Sequence, residues 1–131
     1  MKRSVQLCVC ILPLLMVFVA GCGGSTGQVE GTLTIGGEAA PAGVEISFSP
    51  DSSEGTSGYA YTKEGGSYTL LMPGDSPEIP LGTYTVIIGS EVENEDGETI
   101  QELRIPAEYG EESTQKCDVV KGSQTYNIDV P

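Results

Sequence analysis

From residue 28 onward, apolar side chains recur at every second position in short runs, and glycine, proline and acidic clusters break each run. A period of two puts alternate side chains on opposite faces of an extended chain, so each run buries one face and wets the other. Val29, Leu33 and Ile35 share one face, with Glu30, Thr32 and Thr34 opposite. Val44, Ile46 and Phe48 repeat the pattern against Glu45, Ser47 and Ser49. Ser57 to Thr62 reads as a third strand. Ser67 to Met72 reads as a fourth, with Tyr68, Leu70 and Met72 inward, and Thr83 to Ser90 as a fifth, with Tyr84, Val86 and Ile88 inward. Gln115 to Val120 and Gln124 to Val130 read as a last hairpin around Lys121-Gly122-Ser123, burying Cys117, Val119, Tyr126, Ile128 and Val130. Gly36-Gly37 and Lys63-Glu64-Gly65-Gly66 supply reversals, because glycine accepts positive φ. Helical periodicity is confined to a single turn around Pro106 to Glu112. Pro73 to Pro80 reads as a proline-stiffened loop and Glu91 to Thr99 as an acidic, mobile one. The expected fold is all-β, a seven-stranded antiparallel Greek-key-type β-sandwich.

The first 22 residues follow another logic. Lys2 and Arg3 precede an apolar stretch from Val5 to Ala20, interrupted by Gln6 and Pro13. The stretch is shorter than the roughly 20 apolar residues of a permanent membrane span and suits a cleaved signal. Val19-Ala20-Gly21-Cys22 resembles the lipobox of bacterial lipoproteins. That resemblance implies cleavage between Gly21 and Cys22 and covalent lipid on the Cys22 thiol. The multiple chains of that family imply a stable anchor, since one acyl chain holds only weakly. The layout is then a signal peptide at 1–21, a lipidated tether at 22–27 containing Gly23-Gly24-Ser25-Thr26-Gly27, and a β-domain at 28–131. The protein would be exported and lipid-anchored to the bacterial cell membrane or outer membrane. An ordinary signal peptide cut nearby and an uncleaved anchor are the alternatives.

Charge narrows the partners. Lys2 and Arg3 leave with the signal, so four cations face nineteen acids, a net charge of −15. Nucleic acid would be repelled, and so would adhesion by charge to anionic head groups. Such a charge favours a soluble, monomeric domain. Cys8 and Cys10 lie in the signal and Cys22 takes the lipid, which leaves Cys117 without a disulfide partner. The chain has no histidine, and so lacks the commonest general base and metal ligand at neutral pH.

The ordered pieces carry a second resemblance. They are Val29-Glu30-Gly31-Thr32-Leu33-Thr34, Pro41-Ala42-Gly43-Val44, Ile46-Ser47-Phe48-Ser49-Pro50, Gly66-Ser67-Tyr68-Thr69-Leu70, Pro80-Leu81-Gly82-Thr83-Tyr84, Ile105-Pro106-Ala107-Glu108-Tyr109 and Tyr126-Asn127-Ile128-Asp129-Val130. Together they resemble the carboxypeptidase regulatory-like domain, a transthyretin-like (prealbumin-like) sandwich. Lys63-Glu64-Gly65-Gly66 departs from the family's Asp-Gly turn. In peptidases that own such a domain it is a non-catalytic appendage, so the resemblance implies architecture and argues against catalysis. Locally, Tyr84 after Pro80 is expected to bury its ring and send its hydroxyl to a backbone partner.

Candidate chemistry is sparse. Cys117 reads as a small core residue, since no histidine activates it. Serine hydrolysis lacks both a Gly-x-Ser-x-Gly motif and a histidine base, so an accessory hydrolase is the weaker alternative. Glu91, Glu93, Glu95, Asp96 and Glu98 are the candidate cation ligands, because calcium takes several carboxylate oxygens. Their spacing is similar to part of an EF-hand loop, but Gly97 is one place late and no twelfth-position Glu follows. A calcium-responsive module is set against a solvated acidic loop. Tyr59 and Tyr61 share a face of the third strand; core filling is expected, with an exposed platform for glycan or peptide as the alternative. The reading is a non-catalytic, membrane-anchored envelope lipoprotein whose β-sandwich binds or organises a protein or glycan partner.

Overall fold

The computed structural model describes residues 26–131. Gly21, Cys22 and the whole signal segment lie outside the described residues. Among the described residues eleven strands follow one another: β1 (Thr26–Ile35), β2 (Glu38–Ala39), β3 (Val44–Pro50), β4 (Gly58–Tyr61), β5 (Ser67–Thr69), β6 (Ile79–Pro80), β7 (Gly82–Glu93), β8 (Thr99–Glu102), β9 (Lys116–Val119), β10 (Gly122–Thr125) and β11 (Ile128–Val130). Short 3₁₀ turns at Glu64–Gly66 and Ala107–Tyr109 complete the elements. The second lies inside the segment where one helical turn is expected. The chain is all-β.

β1 organises the first sheet. It pairs antiparallel with β2, β5 and β6 and parallel with β10 and β11. β3 and β7 are the centre of the second sheet, with β4 outside β3 and both β8 and β9 on the far edge of β7. The β1–β2 hairpin turns at Gly36 and Gly37, whose φ values of 63° and 82° are those of a type I′ turn.

Several connections differ from the sequence reading. The final hairpin does not form, because β9 joins β7 while β10 and β11 run alongside β1 in the other sheet. Alternation fixes which face is buried, and it is silent on which neighbour a strand takes. The Lys63–Gly66 turn also crosses between sheets, so its flanks form no hairpin ladder and pair only at the isolated Tyr59–Leu71 bridge, with the turn closed by the Lys63 N–H donating to the Ser67 carbonyl. Glu91 to Thr99 is not one loop. β7 runs on to Glu93, β8 begins at Thr99, and only 94–98 turns. Thr26 and Gly27, expected in the tether, are strand residues paired with Pro80 and Ile79.

The core lies between the inner faces. Val29, Leu33, Tyr68, Leu70, Ile79, Ile128 and Val130 meet Val44, Ile46, Phe48, Tyr84, Val86, Ile88, Val92, Cys117 and Val119. The Phe48 ring lies 6.3 Å from that of Tyr84 and 6.0 Å, edge-on, from that of Tyr126. Tyr84 buries its ring and donates its hydroxyl to the Pro80 carbonyl at 2.8 Å, as expected of that unit.

The sandwich has two distinct ends. At one, Thr26 enters beside Pro80, and Gly82, Val119 and Gly122 lie near it. At the other, Val44 pairs with Val92 beside the 94–98 turn. β3 joins the two ends over seven residues, roughly 20 Å.

Candidate functional site

The outer face of the second sheet carries its chemistry. On β4 the buried positions are Gly58 and Ala60, so Tyr59 and Tyr61 face outward. This corrects the core-filling expectation. The cause is crowding from the far side: a side chain on Gly58 would stand 3.2 Å from Leu70 and from the Met72 sulfur. Those two already fill the space an inward aromatic would need. The small-large-small-large order Gly58-Tyr59-Ala60-Tyr61 is the signal that could have shown it.

The two tyrosine rings lie 6.4 Å apart at 66°, an edge-to-face arrangement. Tyr61 is 48% exposed. Tyr59 is half-buried, and its hydroxyl donates to Asp75 Oδ1 at 3.0 Å. Across the ladder Tyr61 stands opposite Glu45 and Tyr59 opposite Ser47. Beside Tyr61 a shallow groove of about 140 Å³ is lined by Glu45, Gly89, Ser90, Glu91 and Glu93. Gly89 leaves its floor open, since a side chain there would come within 3.3 Å of the Glu45 carbonyl.

Electrostatics tie these groups together. Burial and the negative charges of Glu45 and Glu93 raise the pKa of the Tyr61 phenol. The hydrogen bond to Asp75 does the same for Tyr59, ahead of burial. Both rings are therefore neutral phenols near pH 7. The groove offers carboxylates, a π-face and no cation among its lining residues. Such a set suits a positively charged group, held by Coulomb attraction and by the ring quadrupole.

The acidic segment is split by the hairpin. Glu91 and Glu93 lie on β7, Glu91 opposite Glu102 and Glu93 opposite Thr99. Glu91 accepts from the Thr99 hydroxyl at 3.2 Å. In the turn, Asn94 Oδ1 accepts from the backbone N–H groups of Asp96 and Glu98 at 3.0 and 2.9 Å. Glu95, Asp96 and Glu98 therefore stand around an amide-closed turn. Among the described residues no three His, Cys, Asp or Glu side chains converge as a metal ion requires.

Cys117 is buried beside Val119, where alternation puts it. Burial, with the Asp118 charge second, pushes its thiol from the ordinary 9.0 up to about 11. A thiol that stays protonated at neutral pH is a poor nucleophile. A hollow of about 530 Å³ lies between β7 and the 105–112 segment and is lined by Ile87, Ile105, Gly110, Glu111 and Glu112 among others.

No protein-family model matches the chain, and no curated protein matches it significantly.

Proposed function

We propose that this chain is a non-catalytic, lipid-anchored envelope module, held at Cys22 and binding a positively charged segment of an envelope protein with the outer face of β3, β4 and β7. The observation that carries the binding reading is the outward turn of Tyr59 and Tyr61 beside the carboxylates of Glu45 and Glu93. Two large aromatic rings on a wet face are costly to leave without a partner. The Val19-Ala20-Gly21-Cys22 sequence supports the anchor, and the buried, protonated Cys117 supports a non-catalytic role. The finer architecture we propose is the seven-stranded, transthyretin-like arrangement of the carboxypeptidase regulatory-like domain, elaborated by short edge strands.

The test is a titration of the full-length protein with a lysine-containing peptide and, separately, with a neutral glycan. The peptide should bind, and the paired variant Tyr59→Ala with Tyr61→Ala should weaken it several-fold. Raising the salt should weaken the wild-type complex, since the attraction is partly Coulombic. Equal binding by wild type and the paired variant would sink the site, and binding of the glycan alone would replace the charged partner with a sugar.

A further inference from the structure

The anchor must bring one end of the sandwich to the membrane, and that end is built for contact. This inference rests on the lipid-anchor reading above. Only residues 23–25 separate Cys22 from Thr26, the first residue of β1. A chain advances at most about 3.6 Å per residue, so the four steps from Cys22 to Thr26 span about 14 Å or less. The head-group layer takes up roughly 5–8 Å of that reach. The end at which β1 begins is therefore held against the surface, whatever path the three residues take.

That end displays apolar side chains. Of the four large apolar residues exposed among the described residues, Leu81 (40%) and Val120 (55%) sit there. They lie one position beyond Gly82 and Val119, the last pair of the β7–β9 ladder. Gly27 lies directly against the Val120 carbonyl, in a space that admits no side chain, so the start of β1 and Val120 are in contact. Single exposed apolar residues are ordinary on a soluble surface. Here two stand on adjoining turns, at the end where the tether of the lipid-anchor reading enters. Lys121 follows Val120 and is exposed. It can reach lipid phosphates from the interface; the hollow beside Leu81 also holds Asp51, paired with Lys116, and Glu54. The five acidic residues of segment 91–98 lie at the opposite end, away from the lipid.

We propose that Leu81 and Val120 form a membrane-docking tip that enters the interfacial region of the bilayer and holds the sandwich upright, with the Tyr61 groove pointing away from the membrane. The occupant is the lipid surface itself, and the contact is apolar rather than electrostatic.

The experiment uses the full-length, membrane-extracted protein in phosphatidylcholine vesicles that contain a chain-quenching lipid. Three variants, Leu81→Cys, Val120→Cys and Ile100→Cys, each carry one fluorophore. Cys117 is buried and does not compete for label. Quenching should be several-fold stronger at positions 81 and 120 than at 100, the exposed apolar position of the far hairpin. Equal quenching at all three positions, or none at 81 and 120, overturns the docking tip. Mass spectrometry of the same sample reads the anchor separately: acyl mass on Cys22 with the wrong quenching pattern rejects the tip alone, whereas an unacylated chain rejects the anchor and the tip with it.

Discussion

Thr62 shows how much one side chain carries. It is a buried polar residue of the core. Its hydroxyl donates to the Pro41 carbonyl at 2.6 Å and accepts from the Val44 N–H at 2.9 Å. The Thr62 backbone bonds the same segment through Gly43 and Val44. Thr62→Val keeps the volume and orphans the buried Val44 N–H and the part-buried Pro41 carbonyl, at about 1–3 kcal/mol for an unsatisfied buried partner. Urea denaturation should show that loss, with Thr62→Ser retaining most of the stability; a Val variant as stable as wild type would refute the clip. Cys117 gives a pH signature. Its folded-state pKa, about 11, exceeds the ordinary 9.0, so above pH 9 the folded state holds more protons than the unfolded chain. Stability then falls as pH rises from 9 towards 11 and is undiminished below 9. Tyr68, Tyr84 and Tyr126, all raised chiefly by burial, act in the same direction at higher pH. Denaturation midpoints compared at about pH 8 and about pH 10.5 should drop, and an unchanged midpoint would contradict the burial.

At the scale of elements, the C-terminal strand is the least expected feature. β10 and β11 share one register with β1, Gly27 with Gly122 and Leu33 with Ile128, and are interrupted at Tyr126 and Asn127. The break is bonded throughout. Tyr126 N–H donates to the Glu30 carbonyl at 2.8 Å, and the Thr32 N–H finds the Asn127 side-chain oxygen at 3.0 Å. The Tyr126 carbonyl turns towards Gly31 and accepts from the Tyr68 hydroxyl. Gly31 is glycine because that carbonyl occupies the place of a side chain. Gly31→Ala should therefore destabilise by about 1–3 kcal/mol, the usual cost of overpacking, with the midpoint of thermal unfolding as the measure. A neutral effect would mean that the break relaxes freely. The Lys116–Asp51 pair, at 2.9 Å, is by contrast well exposed, and such surface pairs contribute little.

For the whole molecule, charge sets the response to salt. A net charge of −15 over residues 22–131 makes the folded body repel itself, and salt screens that repulsion over about 8 Å at physiological strength. The unfolding temperature should rise between low salt and about 0.15 M salt. Calcium at matched ionic strength should raise it no further, because the 91–98 carboxylates do not converge. A calcium-specific rise would restore the cation-responsive reading. Five of the nineteen acids, those of segment 91–98, lie at the end away from Thr26.

The alternation of apolar and polar residues determined the all-β class and nearly every inward face, from Val29 to Val130, because a strand's period of two is a local property of the chain. It also placed Cys117 in the core, while the local Pro80-Leu81-Gly82-Thr83-Tyr84 unit placed the Tyr84 hydroxyl on the backbone. The carboxylates of Glu91 and Glu93 were legible as charges, but not as members of a groove with Tyr61. Only the tertiary structure decided the partners: the parallel docking of residues 122–130 on β1, the outward turn of Tyr59 and Tyr61, and the splitting of the acidic loop into two strands. Those outcomes depend on residues far apart in sequence competing for one edge or one volume, and a local pattern does not register that competition.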